Sequence, residues 1–393
     1  MKNKLVERDE GESNEAYLFR LLLLSFENAK KDKLGTRDEQ RFEANLFQNI
    51  YSLRNVIMAR NYKPLPSIRF AVDRPTPREI YAANFRDRVV HHLIYMICAD
   101  WWDEQFVDTS FSCREGKGTL CGVETMYRQM RAVTENYTQK AYLIKLDLKG
   151  YFMSIPKDIA YSIVSEGLRR QFPKGGFLRE ICDYLWYETI YNDPRENAIV
   201  KGSPKVLAKV PPEKKLGYLG PSCGLPIGNL TSQLVSNTFL NIADQYIVND
   251  LGYSYYGRYV DDFYFMVPEA DYEKAKRDVA KIEQFMLAKL GAVVHPKKRI
   301  FVEVGKGVEF LGARIYKDCI LPSDRYMANL ARAVEEWQNG RLERVNLEAR
   351  IGIVSHFDSY KIIRRELARV GYHRWGQKLR RGQTRTSNGK ISG

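Results

Sequence analysis

Tyr255-Tyr-Gly-Arg-Tyr-Val-Asp-Asp-Phe-Tyr-Phe-Met-Val267 reads as two short apolar strands meeting at an acidic turn, with Asp261 and Asp262 at the turn itself. Upstream, Ala141-Tyr-Leu-Ile-Lys-Leu-Asp-Leu148 reads as a strand that also ends in a carboxylate, Asp147. Between them the sequence predicts helix over 157–190, an irregular insertion rich in Lys, Pro and Gly over 191–222, and a helix from about 230 to 249. After the hairpin, Ala275, Val279, Ile282, Met286 and Leu290 recur at helical spacing, as one face of an amphipathic helix. Strands are expected at 299–304 and 308–315, then basic helices. This strand–helix–hairpin–helix–strand order predicts an α+β chain with a split β-α-β, ferredoxin-like sheet. Ahead of it lie helical stretches through residue 60, a proline-punctuated extended stretch at 62–77, a helix at 87–102 and the Gly- and basic-rich loop Ser112-Cys-Arg-Glu-Gly-Lys-Gly-Thr119.

Such a sheet brings Asp147, Asp261 and Asp262 together. Neighbouring residues on a regular strand point to opposite faces, so the two adjacent acids are expected to converge through the turn. Carboxylates this close raise one another's pKa unless cations share the site. Hard oxygen ligands at this density suit Mg²⁺, which binds a few carboxylates together with substrate phosphates. Two such ions roughly 3.5–4 Å apart activate a hydroxyl nucleophile and stabilise a leaving pyrophosphate. A plain solvated turn explains neither the apolar flanks nor the upstream strand that ends in Asp147.

Composition agrees with a folded catalytic chain. The 393 residues are 44% hydrophobic, 12% aromatic and 28% charged, which excludes disordered, collagenous and low-complexity classes. The longest leucine run, Leu21 to Leu24, is far too short to span a bilayer, and a cytoplasmic protein with no membrane contact is expected. Of the net charge of +14, nine units fall from Lys361 onward, where ten Lys/Arg face Glu366 alone. That density suits phosphate backbones. The six cysteines and five histidines lack the spacing of a zinc site or a disulfide ladder, and are read as structural.

From about residue 40 to 375 the sequence resembles reverse transcriptases. Leu146-Asp-Leu-Lys-Gly-Tyr-Phe152 is similar to the first catalytic motif of that family and Tyr259-Val-Asp-Asp262 to the second. Gly224-Leu-Pro-Ile-Gly-Asn-Leu-Thr-Ser-Gln233 resembles the helix-entry loop under the incoming nucleotide, His295-Pro-Lys-Lys298 the lysine motif that follows, and Val308-Glu-Phe-Leu-Gly312 the primer-gripping hairpin. The resemblance implies a right-hand polymerase with fingers, a ferredoxin-like palm and a helical thumb. Fingers are expected in 1–140 with an insertion at about 157–222, the palm in 141–320 and a basic thumb and tail in 321–393. It implies two Mg²⁺ on Asp147 and Asp261 with Asp262 in support, Arg78 on the triphosphate, Lys298 assisting pyrophosphate departure, and Leu148, Phe152, Ile227 and Gly228 lining the nucleotide site. No nuclease domain is expected after Gly312.

Phe152 offers no acceptor to a ribose 2′-OH where RNA-synthesising relatives commonly carry Asp, so deoxynucleotides are expected. Ile227 stands where many reverse transcriptases carry Gln and cannot make a polar contact to the nascent pair, so relaxed fidelity is expected. Ile227-Gly-Asn-Leu-Thr-Ser-Gln233, Arg86-Asp-Arg-Val-Val-His-His92 and Ser112-Cys-Arg-Glu-Gly-Lys-Gly118 most resemble the enzymes of diversity-generating retroelements. That resemblance implies an RNA template, a DNA or RNA primer, deoxynucleotides and a small basic accessory protein. A bacterial anti-phage defence reverse transcriptase is the nearest alternative. A non-catalytic RNA-binding scaffold is the alternative of another class, disfavoured because binding alone requires none of the acids.

Overall fold

The computed structural model describes residues 6–31, 35–73 and 76–368; most of the basic end read from Lys361 onward lies outside them. The chain opens with three helices, α1 (Asn14–Lys30), α2 (Arg37–Glu43) and α3 (Leu46–Met58), followed by strands β1 (Ile68–Val72) and β2 (Arg78–Ala82). Ser13 starts α1 by accepting a hydrogen bond from the Ala16 amide at 3.2 Å, which satisfies a donor the helix itself cannot. Next come α4 (Phe85–Gln105), α5 (Thr119–Val133), β3 (Ala141–Asp147), the short α6 (Tyr151–Ser154), α7 (Lys157–Gln171) and α8 (Phe177–Tyr191). The insertion contains a two-residue strand, β4 (Ile199–Val200), and a five-residue helix, α9 (Pro204–Ala208). Then follow α10 (Leu230–Gln245), β5 (Tyr255–Tyr259), β6 (Asp262–Pro268), α11 (Tyr272–Leu290), β7 (Ile300–Glu303), β8 (Val308–Phe310), β9 (Ala313–Ile315), β10 (Ile320–Pro322), and the helices α12 (Asp324–Gln338), α13 (Arg344–Val354) and α14 (Tyr360–Ala368).

The central sheet has the order β5-β6-β3-β7 with every pairing antiparallel, the split β-α-β arrangement expected from the sequence. Its two faces are buried differently. Ile144, Leu146, Phe263, Phe265 and Val267 pack into the large core with α4, α7, α8, α10 and α11. Leu143, Tyr264 and Met266 pack on the other side with α5 and the small β10-β9-β8 sheet. Asp147, Lys145 and Leu143 alternate onto that second face, as do their partners Asp262, Tyr264 and Met266. The apolar core therefore fills one end of this face and leaves its charged end at the acidic hairpin. The strand expected over 308–315 is a hairpin, because Leu311 and Gly312 both take positive φ and turn the chain between β8 and β9.

Beneath the hairpin lies a buried polar knot. Arg258 on β5 and Asp244 on α10 are 1% and 0% exposed and 2.7 Å apart. Asp244 also accepts from the Tyr256 hydroxyl at 2.5 Å. Arg258 donates to Ser110 Oγ at 3.0 Å, to Asn237 Oδ1 at 3.3 Å and to the Val260 carbonyl at 3.1 Å. Removing one partner of such a pair leaves an uncompensated buried charge, so we expect Arg258→Ala to cost about 3–5 kcal/mol of stability. Asp244→Ala should cost a similar amount, and the double variant less than the two losses added, as read by urea unfolding of each protein.

Candidate active site

The acidic hairpin is tighter than the sequence suggested. Tyr259 pairs with Asp262, so the turn consists of Val260 and Asp261, and Asp262 is the first residue of β6. The expectation that both acids sit in the turn is corrected: Asp262 reaches Asp147 as its direct cross-strand neighbour on β3, and only Asp261 is delivered by the turn. Val260 has φ +56°, a conformation a β-branched side chain enters only at a cost. Both of its backbone groups are pinned: its amide donates to Ser112 Oγ at 3.1 Å and its carbonyl accepts from Arg258.

Two lysines compensate the cluster. Lys298 Nζ lies 2.8 Å from Asp147 Oδ1, and Lys145 Nζ lies 2.9 Å from Asp262 Oδ2. Asp261 has no such partner among the described residues. Burial and then the charge of Asp147 push its carboxyl up to about 6. Burial also raises the carboxyl of Asp262, against the pull of Lys145. Lys145 was not singled out by sequence reasoning; the available signal was a lone cation in an otherwise apolar strand, two residues before Asp147.

The residues expected around the nucleotide gather along β2 and α6. The Tyr81 amide donates to the Ile227 carbonyl at 3.1 Å, tying β2 to the loop before α10. Phe152 and Ile227 pack on the same small cluster, with Tyr81, Met153 and Leu216. Gly228 has φ +111°, a conformation that strains any other residue, and a Cβ there would also crowd Ile80 Cγ2 at 3.0 Å. Arg78 begins β2 with an exposed side chain and no hydrogen bond or ion pair to it among the described residues. Its neighbour Glu79 is buried, accepting from Arg69 at 2.6 Å and from the Leu216 amide at 2.9 Å, and so anchors the strand to the insertion. Leu148 is 2% exposed and belongs to the core, leaving its backbone alone to face a ligand. His91, read as structural, is buried and held neutral, its pKa lowered to about 3 by desolvation.

The reverse transcriptase (RNA-dependent DNA polymerase) family model matches residues 74–315, well over half of the chain. The chain belongs to the reverse transcriptase family. It is 22% identical over 228 residues to Protein YkfC of Escherichia coli (strain K12), covering 58% of this chain and 52% of that protein, so it spans about half the length of this relative. Among solved structures it is similar to telomerase from Candida albicans in complex with a TWJ fragment of telomeric RNA, at 10% identity and TM-score 0.46, over 82% of this chain and 56% of that one. No helix among the described residues is long and apolar enough to cross a membrane.

Reverse transcriptases use divalent metal ions, and the donor set suits one. Asp262 Oδ1 is buried with no hydrogen-bond partner, and Asp261 carries a carboxyl whose charge nothing nearby fully offsets. No three His, Cys, Asp or Glu side chains among the described residues are yet drawn into a cation cage. Lys298 holds one of the acids, Asp147, by a largely solvated contact that is cheap to exchange.

Asp261 gives the metal-free protein a definite pH dependence. Its carboxyl titrates at about 6 in the fold, against its ordinary 3.8 in the unfolded chain. A raised folded value contributes stability that is full below about 3.8 and is lost as pH rises through about 6. Thermal unfolding in chelator should therefore show the parent losing stability across that window. Asp261→Asn should flatten the loss and be the more stable protein above it.

Proposed function

We propose that this chain is an RNA-directed DNA polymerase that extends a primer 3′-hydroxyl with deoxynucleotides on an RNA template. The observation that carries the reading is the cross-strand pairing of Asp147 with Asp262 at the charged end of the central sheet, with Asp261 next to it in the turn, and Phe152 and Ile227 in one cluster beside β2. In the reaction the primer 3′-hydroxyl gives up its proton to solvent, its oxygen forms a bond to the α-phosphorus, the α–β phosphoanhydride bond breaks, and pyrophosphate leaves with its electron pair. Asp147 and Asp261, with Asp262 beside them, would hold two Mg²⁺ ions, which would supply activation of the 3′-hydroxyl and neutralisation of charge on the departing oxygens. The exposed guanidinium of Arg78 binds triphosphate oxygens. Lys298, released from Asp147, meets the charge of the leaving pyrophosphate. On this reading residues 1–140 with the insertion at 157–222 form the fingers, 141–320 the palm and 321–393 the thumb and tail.

Phe152 is wedged against Tyr151 with ring centres 5.3 Å apart, and its carbonyl accepts from Leu225 at 2.8 Å. Tyr151 is itself tied to the Ser236 carbonyl at 2.9 Å. A ring held this firmly supports a steric gate against the 2′-hydroxyl. Ile227 sits among apolar neighbours and presents no donor or acceptor of its own side chain to a base pair, which supports low-fidelity synthesis. The role in a diversity-generating retroelement with a small basic accessory protein rests on the resemblance carried by residues 86–92, 112–118 and 227–233.

Primer extension on a defined RNA template with Mg²⁺, supplying deoxy- and ribonucleotides separately, tests the reading. Deoxynucleotide product that disappears in Asp261→Asn is expected, and its absence with the native RNA and partner supplied would leave the scaffold reading. Phe152→Ala should raise ribonucleotide incorporation by about tenfold or more, a discrimination of about 1.4 kcal/mol. Sequenced products should carry errors opposite template adenine that Ile227→Gln reduces. Accurate products would instead move the biology toward anti-phage defence.

A further inference from the structure

Lys145 stands two residues before Asp147 on β3, so both side chains leave the same face of the sheet. Across the strands it lies beside Tyr264 and Ile300, while Asp147 lies beside Asp262. Its Nζ is 2.9 Å from Asp262 Oδ2 and 5.6 Å from the centre of the Phe310 ring on β8. The two lysines of the cluster therefore differ in kind. Lys145 is 17% exposed and confined between the sheet and an aromatic face, whereas Lys298 is 54% exposed. Lys145 engages only one oxygen of Asp262, and the other, Oδ1, stays buried without a hydrogen-bond partner. Leaving such an atom unpaired is costly, and a site that keeps one has a use for it.

We infer that Lys145 is a positioning residue that fixes the Asp262 carboxylate by its Oδ2 and so reserves Oδ1 for a divalent cation shared with Asp147 and Asp261. The inference rests on the reading of the acidic cluster as an ion site. Without Lys145 the Asp262 carboxylate turns freely about its terminal torsion, and either oxygen can pair with Lys298 or with water. A partner that orients a metal-binding carboxylate is worth about ten- to a hundredfold in metal affinity. A lysine that only offsets charge acts with the opposite sign: its removal leaves the cluster more negative and tightens cation binding.

That sign is the test. Mn²⁺ binding to the free full-length chain, without nucleotide or nucleic acid, is followed by the electron paramagnetic resonance signal of unbound Mn²⁺. Lys145→Met should weaken Mn²⁺ about tenfold or more, and Asp262→Asn by a similar factor. The double variant should be no weaker than either single one, because both remove the same oxygen from use. Lys145→Arg, which keeps a donor on Oδ2, should stay within about threefold of the parent. Unchanged or tighter Mn²⁺ binding in a Lys145→Met protein that unfolds at the parent temperature overturns the inference. If that variant unfolds early, Lys145→Gln is measured instead, and the same sign is required of it. Asp261→Asn separates the two levels: if it binds Mn²⁺ as tightly as the parent, the ion-site reading itself fails, whatever Lys145 does.

Discussion

The buried pair Arg258–Asp244 is the constraint on which the geometry of the acidic hairpin depends. An arginine and an aspartate in the core are tolerated only when every lone pair and proton finds a partner, and here they do. Asp244 takes the guanidinium and the Tyr256 hydroxyl, while Arg258 extends to Ser110, Asn237 and the Val260 carbonyl. The knot joins α10, β5 and the loop after α4. Backbone bonds close it further, since the Arg258 amide donates to Thr109 and its carbonyl accepts from Phe111. The two-residue turn that carries Asp261 is thus tied to the rigid interior on three sides.

That anchoring explains how a β-branched side chain comes to occupy a left-handed backbone conformation at Val260. The strain is on the order of 1–3 kcal/mol and persists only where surroundings over-determine it. Ser112 and Arg258 supply that determination by holding both the amide and the carbonyl of Val260. The consequence is electrostatic. Asp261 is held in a poorly solvated position within reach of the charge of Asp147, and both effects raise its pKa. Ser112 is held in turn by the Asn237 side chain at 2.8 Å on its carbonyl, so the loop, the helix and the turn are joined by hydrogen bonds.

Much of this arrangement was legible in the sequence because it follows from periodicity. The apolar flanks of Asp261 and Asp262, the strand ending at Asp147 and the 4-3-4-4 spacing of α11 fix which elements form and which face they bury. Register was not legible. Whether Asp262 belongs to the turn or to β6 depends on the Tyr259 pairing, and one residue of slip would have sent it to the opposite face. Long-range polar partners were equally hidden. Arg258 looked like an arginine in a hairpin, and nothing local says that its counter-ion is Asp244, fourteen residues earlier on a helix. Lys145 was overlooked for the same reason: a lysine inside an apolar strand has meaning only once the opposite strand is known.

The residues proposed to face the nucleotide show the same division between local pattern and tertiary context. Phe152, Ile227 and Gly228 each stand out by residue type, yet their common purpose appears only through β2, which touches Ile227 by a backbone bond and crowds Gly228 with Ile80. Strand alternation then separates two adjacent charges on β2: Glu79 turns inward to Arg69 and the insertion, and Arg78 turns outward. The buried carboxylate adds a polar tie, through the Leu216 amide, to the packing of Tyr81 on Leu216, so the strand that carries the exposed guanidinium is fastened to the insertion behind it. Tightness in the interior and freedom at the surface are thus coupled by one pair of neighbouring residues, as they are at Asp262, where a confined lysine on one oxygen leaves the other open.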